Sequence, residues 1–209
     1  MEDNLPIKTI IRTDGMKYSV RANRDRFFYP NEWMKFFDDL KANQKMTFDI
    51  LINTGARINE AIHIKVGDVD FVRNNIILRV TKVKAMKGEK NPRPRTISIS
   101  PQFARRLKSY CKDKPNDDYL GLLGAAGAHL ALKRTLQRIQ ISDWYMFSLH
   151  NIRKTHGNWL KALGIDGAEI CTRLGHDYNT FLKAYCSPDI FNYKDKQDMR
   201  LILGDLYNK

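Results

Sequence analysis

Apolar residues recur at helical spacing along most of this chain and at strictly alternating spacing in one place. From Pro30 onward Trp33, Phe36, Phe37 and Leu40 repeat every three or four positions, with Pro30 suited to a first turn and Glu32 to the positive helix end. Met46, Phe48, Ile50, Leu51 and Ile52 predict a second helix, which Thr54-Gly55 stops because glycine adopts the left-handed conformation without steric cost. Ile58, Ala61 and Ile62 give the next helix its stripe, with Arg57 in its first turn. Another opens at Pro101 and runs through Phe103, Leu107 and Tyr110; a basic one over 130–141 buries Leu130, Leu132, Leu136 and Ile139. Ser148 caps a helix whose stripe is Leu149, Ile152, His156, Trp159, Leu160 and Leu163, ended by Gly164. Ile170 and Leu174 bury the following one up to Gly175, and Asn179 caps a short last helix through Phe181 and Leu182 that carries Tyr185. The alternating stretch is IILRVTKVK at 76–84, answered by RTISIS at 95–100 across a Lys-, Gly-, Asn- and Pro-rich turn, which predicts a β-hairpin. The fold class is therefore mainly α with a small antiparallel β-sheet or hairpin (α+β).

With 209 residues, 43% of them hydrophobic, the chain suits one domain with a sizeable core. Residues 1–29 mix charges with few large apolar side chains and show no period, so they predict an arm or linker, weakly structured until it touches something. The domain proper spans 30–190, and 191–209 is a tail whose Met199, Leu201, Ile202, Leu203 and Leu206 make an amphipathic piece. Lys and Arg outnumber Asp and Glu by 36 to 23, a net charge of +13, which favours a polyanionic partner, nucleic acid before others. Cys111, Cys171 and Cys186 are scattered without metal-ligand spacing, so neither a zinc site nor a disulfide framework is predicted. No apolar run reaches the ~20 residues of a membrane span, and no leader-like start is present, which predicts an intracellular protein without a membrane partner.

Charge then singles out surfaces. The hairpin carries Arg79, Lys82, Lys84, Lys87, Lys90, Arg93 and Arg95 against a single acidic residue, Glu89, a density that suits a ribbon laid along a nucleic-acid backbone or, alternatively, a solvated turn. Lys133, Arg134 and Arg138 leave the apolar side of their helix and are candidate phosphate contacts or an ordinary solvated face. Arg57, beside the Gly55 break, is placed to offer its fork of donors to a phosphate or to form a surface ion pair with Glu60 one turn on. His150, Arg153 and Gly157 fall one turn apart on one helix face.

Arg57 in TGARINE, His150 and Arg153 in HNIR, His176 in LGHD and Tyr185 in KAY resemble, in type, order and spacing, the Arg, His-x-x-Arg, His and Tyr signature of the tyrosine recombinases, the phage-integrase and Xer-like family. The similarity covers roughly residues 30–190, the family's catalytic domain. It implies a lysine on the hairpin, for which Lys82 in its Thr-Lys context is the first choice, with Lys84 and Lys87 as rivals because the turn is longer and contains proline. It further implies a metal- and ATP-independent, cofactor-free DNA strand transferase, a site-specific recombinase or integrase working through a 3′-phosphotyrosyl intermediate. Double-stranded DNA is the implied partner, with copies assembling on it as a tetramer in a synaptic complex. The owner would be a cell, with the protein cytoplasmic and nucleoid-associated, or a virus or plasmid within one. The alternatives are a type IB topoisomerase-like enzyme and a DNA-binding module without catalysis. The family's members carry a longer N-terminal helical domain, so the short front end predicts a catalytic fragment or a minimal enzyme with weak, salt-dependent DNA binding.

Overall fold

The computed structural model describes residues 7–11, 15, 17–21, 26–79, 94–175, 177–179, 181 and 190–204. Two helices form its centre, each buried around most of its circumference and carrying polar as well as apolar side chains inward. Helix α2 (Ala42–Thr54) is buried from Thr47 to its end, and α6 (Leu149–Ala162) is buried at every residue from Asn151 to Leu160. They pack on each other, and α1 (Pro30–Asp39), α3 (Ile58–Ala61), α4 (Pro101–Tyr110), α5 (Ala125–Arg138), α7 (Gly167–Leu174) and α8 (Tyr193–Leu203) surround them. The amphipathic helices keep one face in the core; α4, for example, buries Phe103, Ala104 and Leu107 behind the N-cap Ser100, whose Oγ accepts from Phe103 N at 3.2 Å.

The predicted hairpin is present as β4 (Asn75–Leu78) paired antiparallel with β5 (Arg95–Ser98), in the register Ile76 to Ile97 and Leu78 to Arg95. Ile76, Leu78, Ile97 and Ile99 point inward at period two, which fixes that register. A third short strand, β3 (Val69–Asp70), extends the sheet on the β4 side. Residues 80–93, and with them Lys82, Lys84, Lys87, Lys90 and Arg93, lie outside the described residues.

Several expectations are corrected. The arm is not shapeless: β1 (Ile7–Ile11) and β2 (Lys17–Arg21) pair antiparallel. The core also starts before Pro30. Phe27, Phe28 and Tyr29 are 3%, 0% and 0% exposed, because Phe28 packs on Trp33, Phe36 and Phe147 while Phe27 and Tyr29 pack on each other and on Phe191. Arg26 is drawn in with them by a bifurcated pair with Glu32 and a bond to Asp143 at 2.6 Å. Leu130 is 48% exposed; the inward stripe of α5 is Ala128, Ala131, Leu132, Thr135 and Leu136, and Leu130 falls between its rows. Phe181 N donates to Asp177 O, so the helical turn there begins ahead of Asn179. The tail helix α8 packs on α1, α2 and α6, an arrangement on which the sequence was silent, with Met199 and Leu203 buried, Asn192 and Asp195 capping it reciprocally, and Phe191 edge-on to Phe27 and Tyr29.

Candidate active site

The site grows from the end of α2. The last carbonyls of any helix lack intrahelical donors, and here those of Ile52, Asn53 and Gly55 find side-chain donors from other elements. Gly55, at φ +63°, turns the chain left-handed and its N–H donates to Leu51 O at 2.9 Å. Ile52 O accepts from His156 Nδ1 at 2.6 Å, Asn53 O from Arg173 Nη2 at 2.8 Å, and Gly55 O from Arg153 Nη1 at 2.7 Å. Cationic side chains at a helix C-terminus also suit its negative dipole end. The chain leaves this capped end directly into Arg57.

Arg57 is the N-cap of α3, and Glu60 sits three residues on. Glu60 Oε2 accepts from Arg57 N at 2.7 Å, while Oε1 accepts from Arg57 Nη1 at 2.9 Å. The expected surface pair therefore exists but is not on the surface, since Glu60 is 3% exposed. The same carboxylate receives Arg95 in a bidentate fork at 2.9 and 2.7 Å, and Arg153 Nη1 lies 3.9 Å from it. Burial works against the Glu60 charge, but the bonds from Arg95 and the Arg57 backbone outweigh it and hold the carboxyl below its usual range. One buried anion thus collects three arginines from the α2–α3 junction, β5 and α6.

Arg153 is buried and ties two signature segments together, since Nη1 reaches Gly55 O and Nη2 reaches Leu174 O, two residues before His176. Arg57 keeps its side chain 25% exposed. His150 is exposed on the first turn of α6, one turn ahead of Arg153. His176 and Tyr185 lie outside the described residues. Of the candidate DNA contacts that are described, three turn toward the protein. Arg95 is held on Glu60; Arg138 binds Asp39 through Nε at 2.7 Å; Lys133 donates to Tyr145 O at 2.8 Å. Each of the three has an intramolecular acceptor within reach. Arg134 is exposed, and Arg79, 60% exposed, donates to the buried Asp68.

Two residues of this framework were not legible as such. His156 was expected as one more member of an apolar stripe, and Arg173 had no assigned role. The available signal was position: Arg173 lies between Ile170 and Leu174 on the inward side of α7, where a cation requires internal partners. His156 is held neutral, its pKa driven well below 6.5 by burial first and then by the charges of Arg173 and Arg153, against the bond to Ile52 O. The unfolded chain protonates this ring below about pH 6.5 and the folded chain does not, so stability is complete above that pH and is lost as pH falls toward the depressed folded value. Urea unfolding at a series of pH values is expected to show a decline of up to about 1.4 kcal/mol per pH unit below pH ~6.5, absent from His156→Phe. Equal slopes for both proteins would refute this.

Helices around α2 and α6, a three-stranded antiparallel sheet and this junction of Arg57, His150 and Arg153 make the fold that of a tyrosine recombinase catalytic domain. Residues 28–189 match the phage integrase family, and the chain belongs to that family. Similar solved structures include the Tn1549 transposon integrase in complex with a circular intermediate DNA, with TM-score 0.64 and 15% identity over 84% of this chain and 65% of that one. XerA recombinase gives TM-score 0.62 and 19% identity over 86% and 65%, and XerH site-specific recombinase bound to palindromic difH substrate gives 0.58 and 17% over 85% and 53%. This chain thus spans less than two thirds of the length of those proteins. No curated protein matches it. Among the described residues no helix is long and apolar enough to cross a membrane.

Proposed function

We propose that this chain is the catalytic part of a site-specific DNA recombinase or integrase, cleaving and rejoining strands of double-stranded DNA through a 3′-phosphotyrosyl intermediate. The observation that carries the reading is the convergence of Arg57 and Arg153 on Glu60, which gathers two guanidinium groups from distant elements beside the exposed His150. Family membership and neighbours held with DNA support it.

In this reading the two arginines face the non-bridging oxygens of the scissile phosphate and offset the charge that grows in the pentacoordinate transition state. A tyrosine hydroxyl, with an ordinary pKa of about 10, needs a base or a positive field to attack. His150 would take its proton as the Tyr185 oxygen bonds to phosphorus, and His176 would orient the phosphate. The bond from phosphorus to the 5′ oxygen breaks, and a hairpin lysine, Lys82 or its rivals Lys84 and Lys87, returns a proton to that oxygen. The phosphotyrosyl ester keeps the bond energy, so a 5′ hydroxyl from a second strand reverses the step without ATP. Arg134 and the hairpin basic residues 84–93 would follow the DNA backbone, and copies of the chain would assemble on the duplex as a tetramer.

The test is incubation with a pool of nicked duplexes randomised around the nick, from which the short cleaved piece diffuses away and leaves the protein trapped. A denaturing gel is expected to show a covalent protein–DNA band for the wild type and none for Tyr185→Phe. No band on any duplex, or an unchanged band in the variant, overturns the proposal.

A further inference from the structure

We propose that Arg173, seated on His156, is a positioning residue for strand cleavage, holding the segments that carry Arg57, Arg95 and His176 in one fixed arrangement. This rests on the recombinase reading above.

Arg173 is 6% exposed and places each donor group on a different element. Nε donates to His156 Nε2 on α6 at 2.9 Å, Nη1 to Ser98 O at the end of β5 at 2.7 Å, and Nη2 to Asn53 O in the last turn of α2 at 2.8 Å. Its own carbonyl accepts Arg95 Nε at 3.2 Å, and Arg95 then forks onto Glu60, the anchor of Arg57. The next residue, Leu174, gives its carbonyl to Arg153. This guanidinium thus joins α2, β5 and α6, while the backbone carbonyls of Arg173 and Leu174 hold Arg95 and Arg153.

His156 makes the seat possible. A guanidinium has only donors, so the ring nitrogen facing it must be an acceptor, and the other, facing Ile52 O, must carry the hydrogen. The two partners together allow one tautomer, with Nδ1 protonated and Nε2 bare. The ring is also a steric stop: a Cβ on Gly55 would stand 2.6 Å from His156 Cδ2. The turn before Arg57 thus rests on a ring whose orientation Arg173 fixes. Arg153 is the other charged group beside the ring, and it belongs to the same framework. A buried arginine with one apolar and two backbone contacts would serve stability alone; this one is built into the support of both phosphate-binding arginines. Misplacing a reacting group by about 1 Å costs on the order of 10²-fold in rate.

The experiment is single-turnover cleavage of a duplex recovered from the nicked pool, at saturating DNA, with affinity measured on the same duplex without the nick. Arg173→Met, Arg173→Lys and His156→Phe are compared with wild type, each well below its melting temperature. A purely structural defect lowers the amplitude of the burst, because fewer molecules are folded. A positioning defect lowers the rate constant at full amplitude. Arg173→Met and His156→Phe are expected to cleave about 10²-fold more slowly while binding DNA within about threefold of wild type, with Arg173→Lys between them. If Arg173→Met does not fold, Arg173→Lys and His156→Phe carry the same comparison. Variants that cleave with the wild-type rate constant, whatever their amplitude, overturn the role of Arg173 and leave the recombinase reading intact. Absence of any adduct with wild type overturns the recombinase reading itself, and the role of Arg173 with it.

Discussion

A Glu60→Ala variant is expected to lose about 3–5 kcal/mol of folding stability, read as a shift of the urea midpoint, and to lose cleavage with it. The carboxylate is 2% exposed at its side chain, and the arginines around it are 25%, 10% and 1% exposed for Arg57, Arg95 and Arg153. Removing the anion leaves Arg95 and Arg153 as buried cations without the carboxylate that balances their charge. That cost is far above the ~0–1 kcal/mol of an exposed pair, so the size of the shift separates a buried hub from a surface bridge. A double variant, Glu60→Ala with Arg95→Met, is expected to recover part of the loss, because one unpaired charge leaves with the arginine. The acid side follows the same logic. The folded carboxyl titrates below its ordinary 4.5, so its contribution is complete above that pH and declines as pH falls through the folded value. A midpoint within ~1 kcal/mol of wild type would show that Glu60 is not the hub.

Gly55→Ala is the second large effect. Gly55 holds φ at +63°, which costs an alanine about 1–2 kcal/mol. The added methyl would also stand 2.6 Å from both His156 Cδ2 and Leu174 Cδ2. Neither neighbour can step aside freely, since the His156 ring is bonded at both nitrogens and Leu174 is fully buried. Overpacking of this kind adds about 1–3 kcal/mol, for a total of about 2–5 kcal/mol in a denaturant melt. The variant is also expected to cleave DNA poorly, because the methyl presses on the ring that seats the turn before Arg57. Wild-type stability in Gly55→Ala would mean that the turn relaxes and that the ring is not a fixed stop.

What the sequence disclosed follows from which forces are periodic. Helices α1, α2, α4, α6 and α7 and the β4–β5 pair were legible because apolar spacing and glycine stops are local signals, and the order of Arg57, His150, Arg153, His176 and Tyr185 was legible as a pattern of types. The short strand β3 was not, having two residues and no room for an alternation. Leu130 misled because one apolar residue off the stripe looks like one on it until the neighbouring elements are known. The intramolecular partners of Arg95, Lys133 and Arg138 were hidden for a related reason: they depend on where Glu60, the Tyr145 carbonyl and Asp39 arrive in space, and spacing along the chain carries no such information. Arg173 illustrates the same limit, for its three acceptors belong to three different elements.

The docking of α8 on α1, α2 and α6 sets a leash on the chain that precedes it. Phe181 and Ile190 are 3% and 4% exposed, so the chain is fastened on both sides of Tyr185. Four residues of extended chain span at most about 14 Å and five at most about 18 Å, which is the covalent reach from each anchor to position 185. Carrying any group of this stretch beyond that reach requires Phe181 or Ile190 to leave its apolar seat, which has the energetic signature of unpacking a core residue, not that of swinging a free loop.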